Sequence, residues 1–268
     1  NMADSIDDLA LTELRGGNNV IYGSGDGSAV SATSSITNSE TIAAADIRKA
    51  VAKLRANNAV ARKGSLYWCG IHPEVAHDLR AATGAGSWRN PHEYQTNDAI
   101  WAGEIGQFEG AYFVETPRMT VLGDGANYGT AGAPSGITLD GALATVTQTS
   151  HGYSTGDFIT ISGATGVTGV NASWQITVTG TNTYTFVTAL TGTVGGTLAA
   201  QRKYKAYRTI IAGQQALAEA VAEEPHVVIG PVVDKLMRHR PIGWYGVLGF
   251  KRYREEALYR IESGSSIG

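Results

Sequence analysis

Leu66-Tyr67-Trp68-Cys69-Gly70-Ile71-His72-Pro73-Glu74-Val75-Ala76-His77-Asp78-Leu79-Arg80 is the stretch on which the reading of this chain turns. Its first half is apolar and aromatic and too short for an ordinary helix, so Ser65–Ile71 is expected to be a buried strand. His72-Pro73 turns the chain. Pro73 suits the first position of a helix, where a missing N–H costs nothing. The helix expected over Glu74–Ala82 puts Val75 and Leu79 one turn apart on one face and ends near Gly84. Cys69 is the only cysteine, so an intrachain disulfide and a four-cysteine zinc site are excluded. Within such a run it reads as a small buried hydrophobe.

Upstream, Thr41–Asn58 is the clearest helix. Ile47, Val51 and Leu54 share a face, and Arg48, Lys49, Lys53 and Arg55 take the others. Before it, Asn18–Ser39 is rich in Gly, Ser and Thr and reads as a loop. Ser5–Leu14 reads as a short helix stopped by Gly16-Gly17. Downstream, Trp88–Asn97 is irregular, and Gly103–Val121 alternates as strands do, at Ile105, Phe108, Tyr112 and Val114, closed by Pro117. Lys203–Ala212 is expected to be a strand, Gln214–Glu223 a helix with Leu217 and Val221 on one face, and Val227–Ile229 a short strand. Gly243–Tyr253 and Ala257–Glu262 close the chain as strands.

The composition breaks after Gly123. Gly125–Gly136 is Gly- and Ala-rich and reads as a linker. From Gly136 to Ala200 there is no Lys or Arg, only the acids Asp140 and Asp157, and 17 Thr. Short β-branched segments recur at turn spacing: Ala144–Gln148, Phe158–Ser162, Trp174–Thr179 and Tyr184–Thr188. A small all-β unit, sandwich or barrel, is expected over 136–200. The α/β style of the flanks resumes after it, the pattern of a domain inserted in a loop. The expected division is therefore a discontinuous core, 1–135 and 201–268, interrupted by the module.

With 268 residues the chain is long enough to bury a core without staples. Its net charge of −3 gives no global pull toward nucleic acid or an anionic membrane. No apolar run approaches the ~20 residues of a membrane span, and no signal peptide is visible. The chain opens Asn1-Met2, which points to a processed or partial chain.

No chemistry asserts itself. His72, Glu74 and His77 lack the one-turn histidine spacing of a zinc protease. Gly23–Gly27 has no strand leading into a helix, as a phosphate cradle needs. Asp140 and Asp157 are isolated, and Asn171-Ala172-Ser173 is a glycosylation sequon without a secretory context. No catalytic, cofactor or metal residue is therefore nominated. One charge feature stands out: between Pro231 and Arg260, Lys235, Arg238, Arg240, Lys251, Arg252, Arg254 and Arg260 face only Asp234, Glu255 and Glu256. A solvated face, intersubunit ion pairs or non-specific contact with DNA phosphates would each suit it.

The Leu66–Arg80 segment, preceded by Asp46-Ile47-Arg48-Lys49-Ala50 through Leu54-Arg55, resembles a recurrent stretch of tailed-phage major capsid proteins. Trp101–Gly110 with Phe113-Val114-Glu115-Thr116 resembles that family's Gly-Glu-x-Gly strand pair. Gly243-Trp244-Tyr245-Gly246 through Ala257–Glu262 resembles its closing strands. The likeness spans about 40–122 and 203–265. It implies an α+β capsid fold, with an axial domain, a peripheral domain with a spine helix, an N-terminal arm and an extended hairpin loop. It also implies hexamers and pentamers closing an icosahedral shell around double-stranded DNA in a virion assembled in the bacterial cytoplasm. Most of the spine helix, the arm and the extended loop have no counterpart here. The module, from His151–Asp157 to Trp174, Ile176 and Tyr184–Phe186, resembles small β modules inserted in phage virion proteins.

The expected function is that of a major capsid protein without enzymatic activity. Its partners would be copies of itself, packaged DNA touched non-specifically and other virion or decoration proteins, with no membrane. Trp244, Tyr245, Phe250, Arg252 and Arg254 are the candidate assembly or core contacts, and Tyr67 and Trp68 are further aromatic anchors. The module, lacking cations, is expected to face outward. The alternatives are a phage tail or bacterial surface binding protein with an immunoglobulin-like module, and a metal hydrolase using His72, Glu74 and His77.

Overall fold

The computed structural model describes residues 2–25, 27, 30–82, 104–231 and 240–267. Its centre is a seven-stranded mixed sheet built from β1 (Val20–Tyr22), β2 (Tyr67–Ile71), β3 (Glu104–Phe108), β4 (Ala111–Glu115), β5 (Val121–Leu122), β14 (Ala206–Ala212) and β17 (Leu258–Ser263). The strand order is β1-β17-β14-β2-β4-β3, with β5 pairing β14 off that path. β2 lies parallel to β4 and antiparallel to β14, so chain segments far apart in sequence meet at the centre. β2 is buried at Tyr67, Cys69 and Ile71, as its apolar run demands. Burial pushes the Cys69 thiol well above its ordinary pKa, which leaves it a packing residue.

Two helices cover the sheet. α2 (Ala44–Ala56) buries Ile47, Ala50, Val51 and Leu54. The Asp46 carboxylate starts it by accepting the Ala43 N–H at 2.9 Å and the Ser24 N–H at 3.0 Å. α3 (Pro73–Ala81) begins with Pro73 and buries Val75, Ala76 and Leu79, while His72 caps it by accepting the Glu74 N–H at 3.3 Å on Nδ1. α1 (Met2–Leu14) is longer than Ser5–Leu14 by three residues. Near its N-terminus, Arg118 pairs with Asp4 at 2.7 Å and Asp8 at 3.1 Å.

A second body of structure has its own core. β6 (Asn127–Gly132), β9 (Phe158–Ser162), β10 (Ser173–Gln175) and β13 (Ala199–Lys203) make one four-stranded sheet, ordered β10-β9-β13-β6. β7 (Gly136–Leu139), β8 (Leu143–Thr147), β11 (Thr177–Gly180) and β12 (Thr183–Val187) make another, ordered β11-β12-β8-β7. Val146, Ile159, Ile161, Ile176, Tyr184 and Phe186 belong to a hydrophobic cluster distinct from that of the seven-stranded sheet. At Gly163 the chain turns with φ +79°, and a Cβ there would come 2.0 Å from the Thr197 carbonyl oxygen, so only glycine fits.

Several expectations are corrected here. Gly125–Gly136 is not only a linker, because β6 within it pairs with β13. Trp174–Thr179 is two strands that break at buried Ile176 and enter different sheets. Lys203–Ala212 is likewise divided: β13 belongs to the module sheet and β14 to the central one.

The expected helix over Gln214–Glu223 is the start of β15 (Leu217–Ile229), which pairs antiparallel with β16 (Ile242–Arg252). The segment is rich in Ala and Glu, good helix formers, but non-local pairing overrides that weak preference. Its base is locked because the Tyr253 N–H donates to the Ala216 carbonyl and the Arg254 N–H to the Gln215 carbonyl, both at 3.1 Å. Pro225 sits in a register irregularity, where a strand tolerates proline. Opposite it, a Cβ on Gly246 would come 2.9 Å from the Pro225 Cα. The Trp88–Asn97 segment lies outside the described residues.

Candidate assembly surface

The β15–β16 ribbon belongs to no larger sheet. A two-stranded ribbon alone is marginal in water, so its faces matter. Directly opposed residues share a face, and Val227 opposes Trp244 while Ile229 opposes Ile242. These four apolar side chains therefore line one side near the tip, and they are 44–71% exposed. Val221 and Leu248 continue that side toward the base, where α1 packs against β16. Tyr245, opposite His226, points to the other side and is half exposed.

The candidate contacts thus separate. Trp244 and Tyr245 are exposed near the tip, Tyr245 with its ring edge-on to His226 at 6.1 Å between centroids, and Phe250 is half-buried near the base opposite Glu219. Arg252 faces inward, donating to the Glu13 carbonyl at 3.4 Å and pairing with Glu255 at 3.5 Å. Arg254 caps the C-terminus of α2, donating to the Asn57 carbonyl at 2.6 Å and the Asn58 carbonyl at 3.3 Å. Arg260 joins Arg208 around Glu262, whose Oε1 lies 3.0 Å from each Nε. The Arg260 pair is a charge contact without hydrogen-bond alignment. Thr33 donates to the other carboxylate oxygen, and both arginines reach the Arg15 carbonyl. Burial lowers the Arg260 pKa, and Glu262 works against that. Of the basic residues between Pro231 and Arg260, three are therefore spent on contacts within the chain. Lys235 and Arg238 lie outside the described residues.

The other side of the central sheet carries a groove. Trp68 and Tyr112 sit side by side on β2 and β4, and α1 covers this face incompletely. A cavity of about 580 Å³ remains, bounded by Leu11, Leu14, Trp68, Tyr112, Val114 and Leu217, with Asp7, Arg62 and Arg118 also lining it. A smaller one, about 350 Å³, opens on the module beside Gln148, His151, Tyr153 and Arg202. There the polar groups satisfy one another: Gln148 bonds Tyr153 and Tyr184, and His151 bonds the Tyr153 N–H and the Gly180 carbonyl.

His72, Glu74 and His77 do not form a catalytic set. His72 is a helix cap whose pKa burial lowers, the Tyr207 hydroxyl donates to Glu74, and His77 lies 3.2 Å from Asp78. Among the described residues no three His, Cys, Asp or Glu side chains gather as a metal set.

Asp78 itself holds the C-terminal segment by accepting the Ser266 N–H at 2.8 Å and the Ser266 hydroxyl. Burial pushes its pKa up, but the bonds from Ser266, His77 and Ser265 outweigh that and hold it below the ordinary carboxylate value. Its folded pKa is thus the lower one. Its stabilisation is present above about pH 4 and is lost as pH falls through the ordinary carboxylate value toward the folded one. Asp78→Asn is expected to flatten the stability-versus-pH curve below pH 4 and to speed hydrogen exchange at Ser266. An unchanged acid limb would contradict this.

A family model for phage capsid proteins matches residues 14–265, and the chain belongs to that family. It is a structural component of the virion capsid. Two solved structures share its fold. The capsid of Ralstonia phage GP4 aligns with TM-score 0.54 at 15% identity, over 98% of this chain and 64% of that one. The cyanophage Pam1 capsid asymmetric unit aligns with TM-score 0.51 at 13% identity, over 99% of this chain and 65% of that one. The chain thus spans just under two thirds of the capsid proteins it matches. No curated protein matches it.

Sequence reasoning placed strands at both sides of the ribbon tip and nominated Trp244 and Tyr245, but it missed the base of β15, where helix-forming residues hid the strand. The tip was found from the β-branched run Val227-Val228-Ile229, which Gly230-Pro231 ends; no such run marks Leu217–Glu224.

Proposed function

We propose that this chain is the major capsid protein of a tailed phage, self-assembling into hexamers and pentamers of an icosahedral head around double-stranded DNA, with no catalytic step. The observation that carries the reading is the β15–β16 ribbon. An isolated ribbon with four exposed apolar side chains on one side is poorly suited to a free monomer and well suited to a protein that is always covered by neighbours. Trp244 and Tyr245 are the assembly contacts. Phe250, Arg252 and Arg254 fasten the ribbon base to its own subunit.

In this reading residues 1–135 and 201–268 form the discontinuous capsid core and 136–200 the inserted module, whose sheets recruit β6 and β13 at its edges. With no Lys or Arg between Gly136 and Ala200, the module suits the outer surface, away from DNA. DNA contact is through phosphates without sequence readout. Negative-stain microscopy of the purified full-length protein tests the assembly claim. Shells or capsomer rings are expected, and a uniform population of monomers would overturn it.

A further inference from the structure

Where the module meets the central sheet, a cleft of about 260 Å³ gathers five titratable side chains. His72, Glu74, Lys205 and Tyr207 stand on the side of the central sheet, and Asp157 stands on the module side. The chain crosses here twice, from β5 to β6 and from β13 to β14. The crossings bind each other: the Tyr204 N–H donates to the Ala126 carbonyl at 2.9 Å and the Gly125 N–H to the Tyr204 carbonyl at 3.2 Å.

His72 caps α3, and that cap needs a neutral ring. Nδ1 accepts the Glu74 N–H at 3.3 Å, which leaves the ring proton on Nε2. An imidazolium has no acceptor to offer and puts a cation at the positive end of the helix dipole. Glu74 passes the cap on. Its carboxylate accepts the Tyr207 hydroxyl, and its carbonyl accepts the Ser265 hydroxyl at 3.3 Å. Tyr207 in turn opposes Val121 on β5, the strand that leads into the first crossing. The His72 and Tyr207 rings are themselves in contact, with centroids 5.2 Å apart.

We infer that this junction is a proton-operated catch: neutral His72 holds the first turn of α3 and, through Glu74 and Tyr207, the crossing at β5, and protonation of His72 releases both. The imidazolium competes for the Glu74 carboxylate, and the buried Tyr207 hydroxyl loses its acceptor. The surrounding charges are mixed. Burial lowers the His72 pKa and leads the other causes; Glu74 opposes it, Lys205 adds to it and Glu115 opposes it. Glu115 already pairs with Arg80 and Asp157 with Arg202, each at 3.2 Å, so both acids near the ring have a cation of their own. The folded pKa is the lower one. The catch is therefore closed above the ordinary histidine value of about 6.5 and opens as pH falls through the folded value.

Hydrogen–deuterium exchange of the full-length protein at about pH 7.5 and about pH 5, read as protection factors corrected for the intrinsic effect of pH, tests this above the range in which Asp78 titrates. Protection over Glu74–Leu79 is expected to fall about fivefold at the lower pH, the ratio that loss of a helix cap represents. Peptides over Val121–Ala126 should lose protection in the same range. His72→Asn supplies a cap acceptor that does not titrate, and it should hold its protection at both pH values. His77→Asn, at the exposed histidine of the same helix, should keep the wild-type response. Equal wild-type protection at both pH values, or the same fall in His72→Asn, would overturn the catch. A fall confined to α3 would overturn its coupling to the crossing.

Discussion

Replacing Glu262 by Ala is expected to cost about 3–5 kcal/mol of stability, because it removes the one carboxylate between two half-buried guanidinium groups. Glu262 is fully buried. It sits directly across the β14–β17 ladder from Arg208, and Arg260 is two residues back on the same strand and face. Thr33 reaches it from the loop before α2, and both arginines reach the end of α1 through the Arg15 carbonyl. One side chain therefore ties four parts of the chain together. Glu262→Gln keeps the volume and one acceptor but removes the charge, and it should fall between wild type and Ala. Urea unfolding followed by far-ultraviolet circular dichroism reads the effect. A loss under about 1 kcal/mol for Ala would mean that the arginines find water instead.

The second large effect is expected at Phe186. It is buried in the module core, stacked on Trp174 with ring centroids 4.5 Å apart, and opposes Ala144 across β8–β12. Phe186→Ala should cost about 3–5 kcal/mol, the range for a core phenylalanine that leaves a cavity. The loss should be local. Calorimetry is expected to show the module's transition fall or vanish while that of the seven-stranded sheet holds. A single transition that falls as a whole would mean that the two cores melt as one unit and that the inserted module is not independent.

Much of this was legible in the sequence, for identifiable reasons. Leu66–Arg80 gave strand, turn and helix within two residues because its apolar run, its proline and its Val75/Leu79 spacing all agreed. The short strands of the 136–200 stretch were legible in its β-branched runs and turn spacing, and β7 through β12 lie there. The edges were harder. β6 is Asn-Tyr-Gly-Thr-Ala-Gly, which carries no strand pattern and becomes a strand only because β13 is there to pair with it. β15 was misread for the same reason in reverse: its Ala and Glu favour a helix locally, and the base of β15 pairs with the far end of the next strand, Leu217 opposite Arg252 and Val221 opposite Leu248. The site was half legible. The aromatic pair Trp244-Tyr245 was visible as candidate contacts, but the faces they occupy follow from a register that contains two irregularities. Arg252 and Arg254 looked available for partners, and their carbonyl and carboxylate contacts are made by residues 39–239 positions away or by near neighbours invisible to pattern alone.

A cryo-electron microscopy reconstruction of shells formed by the full-length protein tests the central claim most directly. The account predicts a closed shell in which each β15–β16 ribbon crosses onto a neighbouring subunit and residues 136–200 stand on the outer surface. Ribbons packed only against their own subunit, with the module lining the lumen, would contradict it.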